Sequence, residues 1–321
     1  MRPRFALALV FVPGLLAAQS LDGAIAQYKA RDYAAAQAAF AALAQRAPSD
    51  PAPQFWLGRS YLALDNHEAS AKAFERAVAL NDKSSEYHLW LGRALGRQAQ
   101  QASKFKQPFL ARRVKAEWER AIALDPRSLE PREQIIDFYL QAPGFMGGGV
   151  DKARAQQAEI SRLSAYRGAF VEAKIAAHEK DDLGVERILR SGTAKYPDSV
   201  AVVSALANFY ASKNRYPDAW ATIDGYAAKH QKNPIAQFMI GRMAAITGQQ
   251  LDRGEAALRS YLATPLLPED EGPPSYSATQ MRLGGIYEKR GDKARARAAY
   301  QEALRLDKNN TGAKRALDAL K

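Results

Sequence analysis

Leu57-Gly58-Arg59-Ser60-Tyr61 is the stretch that decides the fold, because its first three residues return thirty-four positions later as Leu91-Gly92-Arg93. Related triplets follow as Ile240-Gly241-Arg242 and Leu283-Gly284-Gly285, each ahead of small and aromatic residues at fixed offsets. A period of this length is typical of arrays in which pairs of helices stack on one another. The sequence therefore predicts an all-helical repeat array.

The second repeat shows the pattern in full. Leu57, Gly58 and Tyr61 fall on a first predicted helix, and Phe74 and Ala77 fall on a second. This pattern resembles the tetratricopeptide repeat, in which small residues let two helices approach closely and large residues fill the gap to the next pair. The last repeat matches best, with Leu283, Gly284, Tyr287, Gly291, Ala296, Tyr300 and Ala303 in phase.

The resemblance implies a right-handed α-solenoid of about eight helix hairpins over residues 19–321. It is strong in the second, third and eighth repeats and weaker between them. Asn310 to Lys321 is expected to form a C-terminal capping helix, with Asn310 or Thr311 at its start. No length remains for a separate catalytic domain.

Three segments interrupt the period: an insert at about 98–115, a glycine-rich loop at 142–149 and a proline-rich acidic loop at 264–277. The insert is predicted to lengthen both helices of the third repeat, and it sets basic residues around Phe105 and Phe109. Such a hairpin can grip an anionic surface. The interpretation we favour is a solvated hairpin whose aromatic rings pack back on the array.

The glycine-rich loop is a possible functional loop, because Gly147, Gly148 and Gly149 precede a predicted helix, and such glycines can cradle phosphate. However, the GxxxxGK[ST] pattern is absent. We therefore favour an irregular turn that packs Phe145 and Met146 into a neighbouring element.

Residues 1–18 are predicted to be a cleavable signal peptide, with basic Arg2 and Arg4 ahead of an apolar run and small residues at Ala17 and Ala18. The apolar run is shorter than the roughly 20 residues that span a bilayer, so no transmembrane segment is expected after cleavage. The chain contains no cysteine, so neither a lipid-modified cysteine nor a disulfide is available. We expect an exported bacterial protein, periplasmic or secreted.

The net charge of +12 gives the protein a positive potential that attracts acidic partners. Export removes nucleic acid from the expected partners and leaves other envelope proteins or acidic peptide segments. An alternative is a cell-wall or membrane-surface protein that its basic charge holds in place.

By resemblance, the residue after each motif glycine faces a concave groove, and the residue one turn earlier adds apolar contact. The first set is Arg59, Arg93, Asp137, Asn208 and Arg242, and the second set is Phe55, Leu89 and Phe238. Guanidinium groups in a groove can hold carboxylates through two parallel hydrogen bonds. The alternative is that these arginines are solvated or paired with a neighbouring helix.

Catalytic patterns are not found. The four histidines lie in different repeats and form no HExxH pair, no GxSxG is present, and a cysteine nucleophile is excluded. We therefore expect no enzyme, metal or cofactor, with catalysis at the glycine-rich loop as a remote alternative. The predicted function is an exported scaffold or adaptor whose concave groove binds an extended or helical segment of an envelope protein. The oligomeric state stays open.

Overall fold

The computed structural model describes residues 20–231, 233–265 and 274–320. Within these ranges the chain forms seventeen α-helices and no strand. It divides into two compact units between His178 and Glu179. The predicted signal peptide at 1–18 and the acidic run Glu269 to Glu271 lie outside the described residues.

The N-terminal unit contains nine helices. They are α1 (Leu21–Lys29), α2 (Tyr33–Arg46), α3 (Pro51–Ala63), α4 (His67–Leu80), α5 (Ser85–Gln101), α6 (Gln107–Leu124), α7 (Leu129–Gln141), α8 (Val150–Leu163) and α9 (Ala165–His178), with a single 3-10 turn at Gly144–Met146.

The C-terminal unit contains eight helices. They are α10 (Asp182–Lys195), α11 (Val200–Ser212), α12 (Tyr216–Lys229), α13 (Pro234–Thr247), α14 (Leu251–Leu262), α15 (Tyr276–Lys289), α16 (Lys293–Leu306) and α17 (Thr311–Ala319). Because α14 ends at Leu262 and α15 begins at Tyr276, helix occupies the last two positions of the predicted 264–277 loop.

Successive helices pack as hairpins in each unit: α1 with α2, α3 with α4, α5 with α6 and α7 with α8, then α11 with α12, α13 with α14 and α15 with α16. Helix α9 packs on α8, helix α10 packs on α11, and the boundary between the units falls inside the fifth predicted hairpin. Helix α17 packs on α16, and the Asn310 side chain caps its start by accepting from the amide of Ala313. The predicted all-α solenoid class is confirmed.

Tight turns between paired helices set the repeat length. Five of these turns contain a residue of positive φ, and several of these residues follow one another at the repeat spacing of thirty-four: Arg31, Asp65, Asn214, Gly248 (with Gln250 in the same turn) and Gly291. Lys180, directly after the unit boundary, also has positive φ. A left-handed residue reverses the chain directly after a helix. The third and fourth hairpins instead turn through the insert and the glycine-rich loop.

The insert extends both of its helices. Helices α5 and α6 have 17 and 18 residues, whereas α3 and α4 have 13 and 14. Leu110 packs into the core, but Phe105 and Phe109 are exposed, so the interpretation that these rings pack back on the array is wrong. The extra helical turn carries them beyond the neighbouring hairpins, where no element covers them.

The motif glycines leave room for a large side chain of the paired helix. A Cβ at Gly92 would lie 2.4 Å from Nε1 of Trp118, whose indole fills the space and donates to the carbonyl of Leu89 at 3.2 Å. Phe74 covers Gly58 and Tyr300 covers Gly284 in the same way. The repeated glycine is thus required by the large side chain on the paired helix.

Replacing Gly92 by alanine is expected to lower the free energy of unfolding by about 1–3 kcal/mol, because the added methyl group displaces the Trp118 indole. Urea denaturation of the purified protein measures the change. Gly96 is the matched control: it lies in the same helix with nothing within 4 Å of its added Cβ. Gly96→Ala should therefore stabilise by up to about 1 kcal/mol. Equal effects at the two positions would contradict this account.

A buried histidine links α5 to α6. The His88 ring lies 2.6 Å from Glu117 Oε2 through Nδ1 and 3.0 Å from the Asp82 carbonyl through Nε2. The hydrogen bond to the Glu117 carboxylate raises the pKa of His88, while burial opposes the shift. Both acceptors favour the protonated ring, which donates from both nitrogens.

Since the pKa of His88 is raised by folding, its contribution to stability is complete below about pH 6.5 and is lost as pH rises through the folded value. We expect the free energy of unfolding to fall between pH 6 and pH 8. Glu117→Gln should flatten this dependence, because the amide no longer favours the charged ring. Denaturation curves of the wild type and the variant at pH 6 and pH 8 test this. If the variant lost as much stability as the wild type between these pH values, the His88 and Glu117 pair would not be the source of the pH dependence.

Candidate functional site

A cavity of about 910 Å³ opens in the N-terminal unit among α3, α5, α6 and α7. Its apolar wall contains Trp90, Val114, Trp118 and Phe138, and its polar residues are Arg93, Arg97, Gln100, Gln107, Gln134, Asp137 and Gln141. The turn after α7 closes one end with Pro143 and Met146. We call this cavity the N-terminal groove.

A stack of alternating indoles and guanidinium groups fixes one wall of the groove. The guanidinium carbon of Arg59 lies 4.5 Å from the Trp56 ring centre and 4.4 Å from that of Trp90. The guanidinium carbon of Arg93 lies 4.6 Å from the Trp90 ring centre, and Arg93 pairs with Glu130 at 2.5 Å. Cations near aromatic rings attract them, so both arginines help to hold the Trp90 indole in place.

The charge of the groove is positive. Arg97 is exposed and has no carboxylate partner among the described residues, whereas Asp137 is already paired with Lys174 at 2.8 Å. Arg59 also has no carboxylate partner in the described ranges, and its Nε is buried there without a hydrogen-bond acceptor. These two arginines leave an uncompensated positive charge beside an apolar wall.

Two predicted groove residues lie elsewhere. Phe55 and Leu89 are each only 4% exposed and belong to the hydrophobic core. The Phe55 ring packs against Tyr87 at 4.9 Å and against Phe74 at 5.7 Å. The position one turn before Gly58 therefore faces the neighbouring helices, and the expectation that Phe55 and Leu89 offer apolar contact to a partner is corrected.

Arg242 in the C-terminal unit is half-buried on α13, which packs on α15, the helix that carries half-buried Arg282. Neither has a carboxylate partner among the described residues. Burial lowers the pKa of both groups, and the charge of Arg282 lowers that of Arg242 further. Two half-buried cations on packed helices are thus left without a described carboxylate to neutralise them.

Arg282 is a site residue that sequence reasoning missed. It directly precedes Leu283 of the eighth repeat, as Trp90 directly precedes Leu91 of the third. In the N-terminal unit this position faces the arginine of the previous repeat, Arg59. The sequence signal that could have identified Arg282 was this pairing of equivalent positions in successive repeats. The eighth repeat has an arginine at the position where the third repeat has Trp90.

Asn208 and Phe238, also in the C-terminal unit, differ in surroundings. The amide oxygen of Asn208 is buried and accepts no hydrogen bond from the described residues. The Phe238 ring packs on Tyr261 with ring centres 5.7 Å apart. The Phe238 ring therefore contributes to the packing of α13 on α14.

The glycine-rich loop is a turn whose backbone conformation requires glycine. Gly147 and Gly149 have φ of 93° and 145°, and a Cβ at Gly148 would lie 1.8 Å from the Ala142 carbonyl oxygen. The amides of all three glycines donate to backbone carbonyls, those of Gly144, Pro143 and Tyr139 respectively. They are thus not free to cradle phosphate. Of the two side chains expected to pack inward, Met146 lines the groove but Phe145 is 83% exposed.

Over the described ranges, no helix has the length and apolar character needed to cross a bilayer. In the same residues, no group of three histidine, aspartate or glutamate side chains is placed to hold a metal ion.

Comparison with known proteins agrees with the repeat register. Two tetratricopeptide repeat models match, one over residues 21–85 and 57–103 and the other over residues 277–310. No curated protein sequence matches the chain.

Solved structures share the fold at low sequence identity. Yeast Tom70 superposes with a TM-score of 0.57 at 12% identity, over 89% of this chain and 59% of that one. A tetratricopeptide repeat protein of Parabacteroides merdae has a TM-score of 0.49 at 12% identity, over 95% of this chain and 99% of its own. A thermophilic one from Thermus thermophilus has a TM-score of 0.46 at 18% identity, over 63% and 97%. The superposition on Tom70 shows a shared fold. With the helix hairpins and the glycine contacts described above, the two family-model matches show that the chain carries tetratricopeptide repeats at residues 21–103 and 277–310.

Proposed function

We propose that the protein is an exported bacterial scaffold that binds an extended, acidic segment of another envelope protein in its N-terminal groove. The family supports a role in protein association, since its repeats serve as interaction scaffolds. The observation that carries the proposal is the uncompensated charge of Arg59 and Arg97 beside the apolar wall of the groove.

The groove offers each kind of contact that an extended peptide needs. Its amide side chains, Gln100, Gln107, Gln134 and Gln141, can donate to and accept from a peptide backbone, which presents one donor and one acceptor per residue. Trp90 and Phe138 supply apolar surface. Arg97 can hold a carboxylate of the segment through charge-assisted hydrogen bonds.

The Trp90 wall is ordered before any partner arrives, because the guanidinium groups of Arg59 and Arg93 both contact the indole. A preorganised wall lowers the entropic cost of binding, since fewer side chains lose freedom in the complex. The groove is thus suited to capture a flexible segment without rearranging.

Three properties support the proposal. They favour association over catalysis, an acidic partner, and a location in the envelope. The amides of the glycine-rich loop already donate to backbone carbonyls of the chain. They are therefore not free to bind a phosphate, as an enzymatic role of this loop would need. The net charge of +12 favours acidic partners. The basic and apolar start of the sequence has the pattern of a secretory signal, so the partners we propose are periplasmic or secreted.

The first test selects peptides from a displayed random library on the immobilised protein. We expect enrichment of sequences that combine aspartate or glutamate with apolar residues. Gly96→Trp should weaken binding of the selected peptides at least about tenfold, because Gly96 lines the groove and its new indole would fill the cavity. Fluorescence anisotropy of a labelled peptide measures the Kd.

Gly225→Trp is the matched control for this test. Gly225 is also a helical glycine with nothing within 4 Å of an added Cβ, and it lies in the C-terminal unit. Its substitution should leave the Kd unchanged. Peptides that lack acidic residues, or equal binding by Gly96→Trp and the wild type, would contradict the proposed groove function.

Arg242 and Arg282 are proposed as a second contact for an acidic partner, because two half-buried guanidinium groups on packed helices carry charge that no described carboxylate neutralises. Arg282→Met should raise the free energy of unfolding by about 1 kcal/mol, since it removes an unpaired, desolvated charge. Denaturation of the unbound protein measures this gain.

Arg290→Met is the control for the stability change. Arg290 lies at the end of the same helix but pairs with Asp252 at 2.5 Å and with Glu255. Its loss should destabilise, because it leaves the half-buried Glu255 carboxylate with fewer partners. If Arg282→Met instead destabilised as much as Arg290→Met, Arg282 would have a structural partner and would not be poised for an anion.

A further inference from the structure

Three of the most exposed apolar side chains in the described ranges are phenylalanines of the N-terminal unit. Phe105 is 95% exposed, Phe145 is 83% exposed and Phe109 is 66% exposed. Phe105 lies in the turn between α5 and α6, and Phe109 follows in the first turn of α6. Phe145 lies in the 3-10 turn between α7 and α8.

These turns lie at one edge of the unit. In a stack of antiparallel hairpins, the turns inside successive hairpins all face the same side. The third and fourth hairpins are therefore neighbours at this edge, and the 3-10 turn that carries Phe145 contacts α6. We call the edge formed by Phe105, Phe109 and Phe145 the phenylalanine edge.

The part of the phenylalanine edge that carries Phe105 and Phe109 projects from the unit. Helices α5 and α6 are about one turn longer than α3 and α4, which corresponds to about 5 Å of extra length. The turn at its tip is ordered, since Ser103 accepts from the amides of Lys106 and Gln107. An ordered projection can make contact with a flat surface before the rest of the unit does.

Basic residues surround the rings. No acidic residue occurs from Gln98 to Lys115. Lys104, Lys106 and Arg112 are exposed in this stretch, and none forms an ion pair within the described part of the chain. The carboxylate of Glu68, on which the charge of Lys106 acts, is already paired with Lys72 at 2.7 Å.

We infer that the phenylalanine edge docks on an anionic lipid bilayer, with the three rings in the interface and the lysines and Arg112 against the headgroups. The rings stand on separate turns and point outward, so they form no cleft that would enclose a peptide. A bilayer interface accepts separate aromatic rings at one depth, and exposed basic residues add attraction to anionic lipid. This inference concerns the exposed rings and basic side chains of the phenylalanine edge and not the polar residues of the groove. It does not rest on the proposed peptide binding.

Vesicle sedimentation tests the inference with the full chain. Vesicles of phosphatidylcholine with about a third phosphatidylglycerol should bind the protein, and vesicles of phosphatidylcholine alone should bind it at least about tenfold less. The double variant Phe105→Ser, Phe109→Ser should lose about tenfold of its partition into the anionic vesicles. Lys104→Glu with Lys106→Glu should lose as much.

Leu183→Ser is the matched control. Leu183 is 82% exposed at the start of α10 and is flanked by Asp182 instead of basic residues, so its loss should leave vesicle binding unchanged. Gly96→Trp should also bind vesicles like the wild type, which separates this inference from the groove. Thermal melts of the phenylalanine, lysine and Leu183 variants should lie close to that of the wild type, because the substituted side chains are mostly exposed.

A second readout does not depend on loss of binding. Phe105→Trp should give an indole emission component that brominated lipid quenches, whereas Leu183→Trp should not. Equal sedimentation of the double phenylalanine variant and the wild type would overturn the inference. Tight binding to soluble polyglutamate that needs Phe105 and Phe109, without vesicle binding, would overturn it in favour of an acidic protein partner.

Discussion

The seating of a large side chain on a bare glycine of the paired helix is the contact on which the second, third and last hairpins depend. The indole of Trp118 occupies the space that a side chain at Gly92 would need, and its donor is satisfied by a carbonyl of the same first helix. Phe74 and Tyr300 repeat this arrangement in other hairpins. The large side chain of one helix must lie over the glycine of the other, so each such pair of helices packs in one register. The first helices of successive repeats therefore form a fixed series within each unit. That series positions Trp90 and Arg93 along the groove.

The fixed series also explains why the stack of indoles and guanidinium groups forms. Arg59 and Trp90 lie in successive repeats, and only the stacking of one hairpin on the next brings them within 4.4 Å. The same relation in the C-terminal unit places Arg242 and Arg282 on packed helices, where burial and then the charge of Arg282 lower the pKa of Arg242. One scaffold thus gives an aromatic wall in one unit and a bare pair of cations in the other.

The hairpins could be predicted from the sequence because the glycine and its covering side chain recur with a period. The surroundings of individual groove residues could not, since they depend on contacts between repeats. Phe55 was expected to face a partner, but its ring fills the space between α3, α4 and α5. Arg282 was missed because its partner, Arg242, is forty residues away in the chain. Phe105 and Phe145 were expected to pack inward, but composition alone does not fix how far a turn projects.

Site-specific photocrosslinking in the envelope of the producing cells tests the central claim most directly, with benzoylphenylalanine placed in turn at Gln100 and at Arg76. Gln100 lines the groove, and Arg76 is exposed on α4 outside it. The account predicts that Gln100 crosslinks to an acidic, extended segment of another envelope protein while Arg76 does not. Crosslinks of equal yield from both positions, or a Gln100 crosslink to a basic segment, would contradict it.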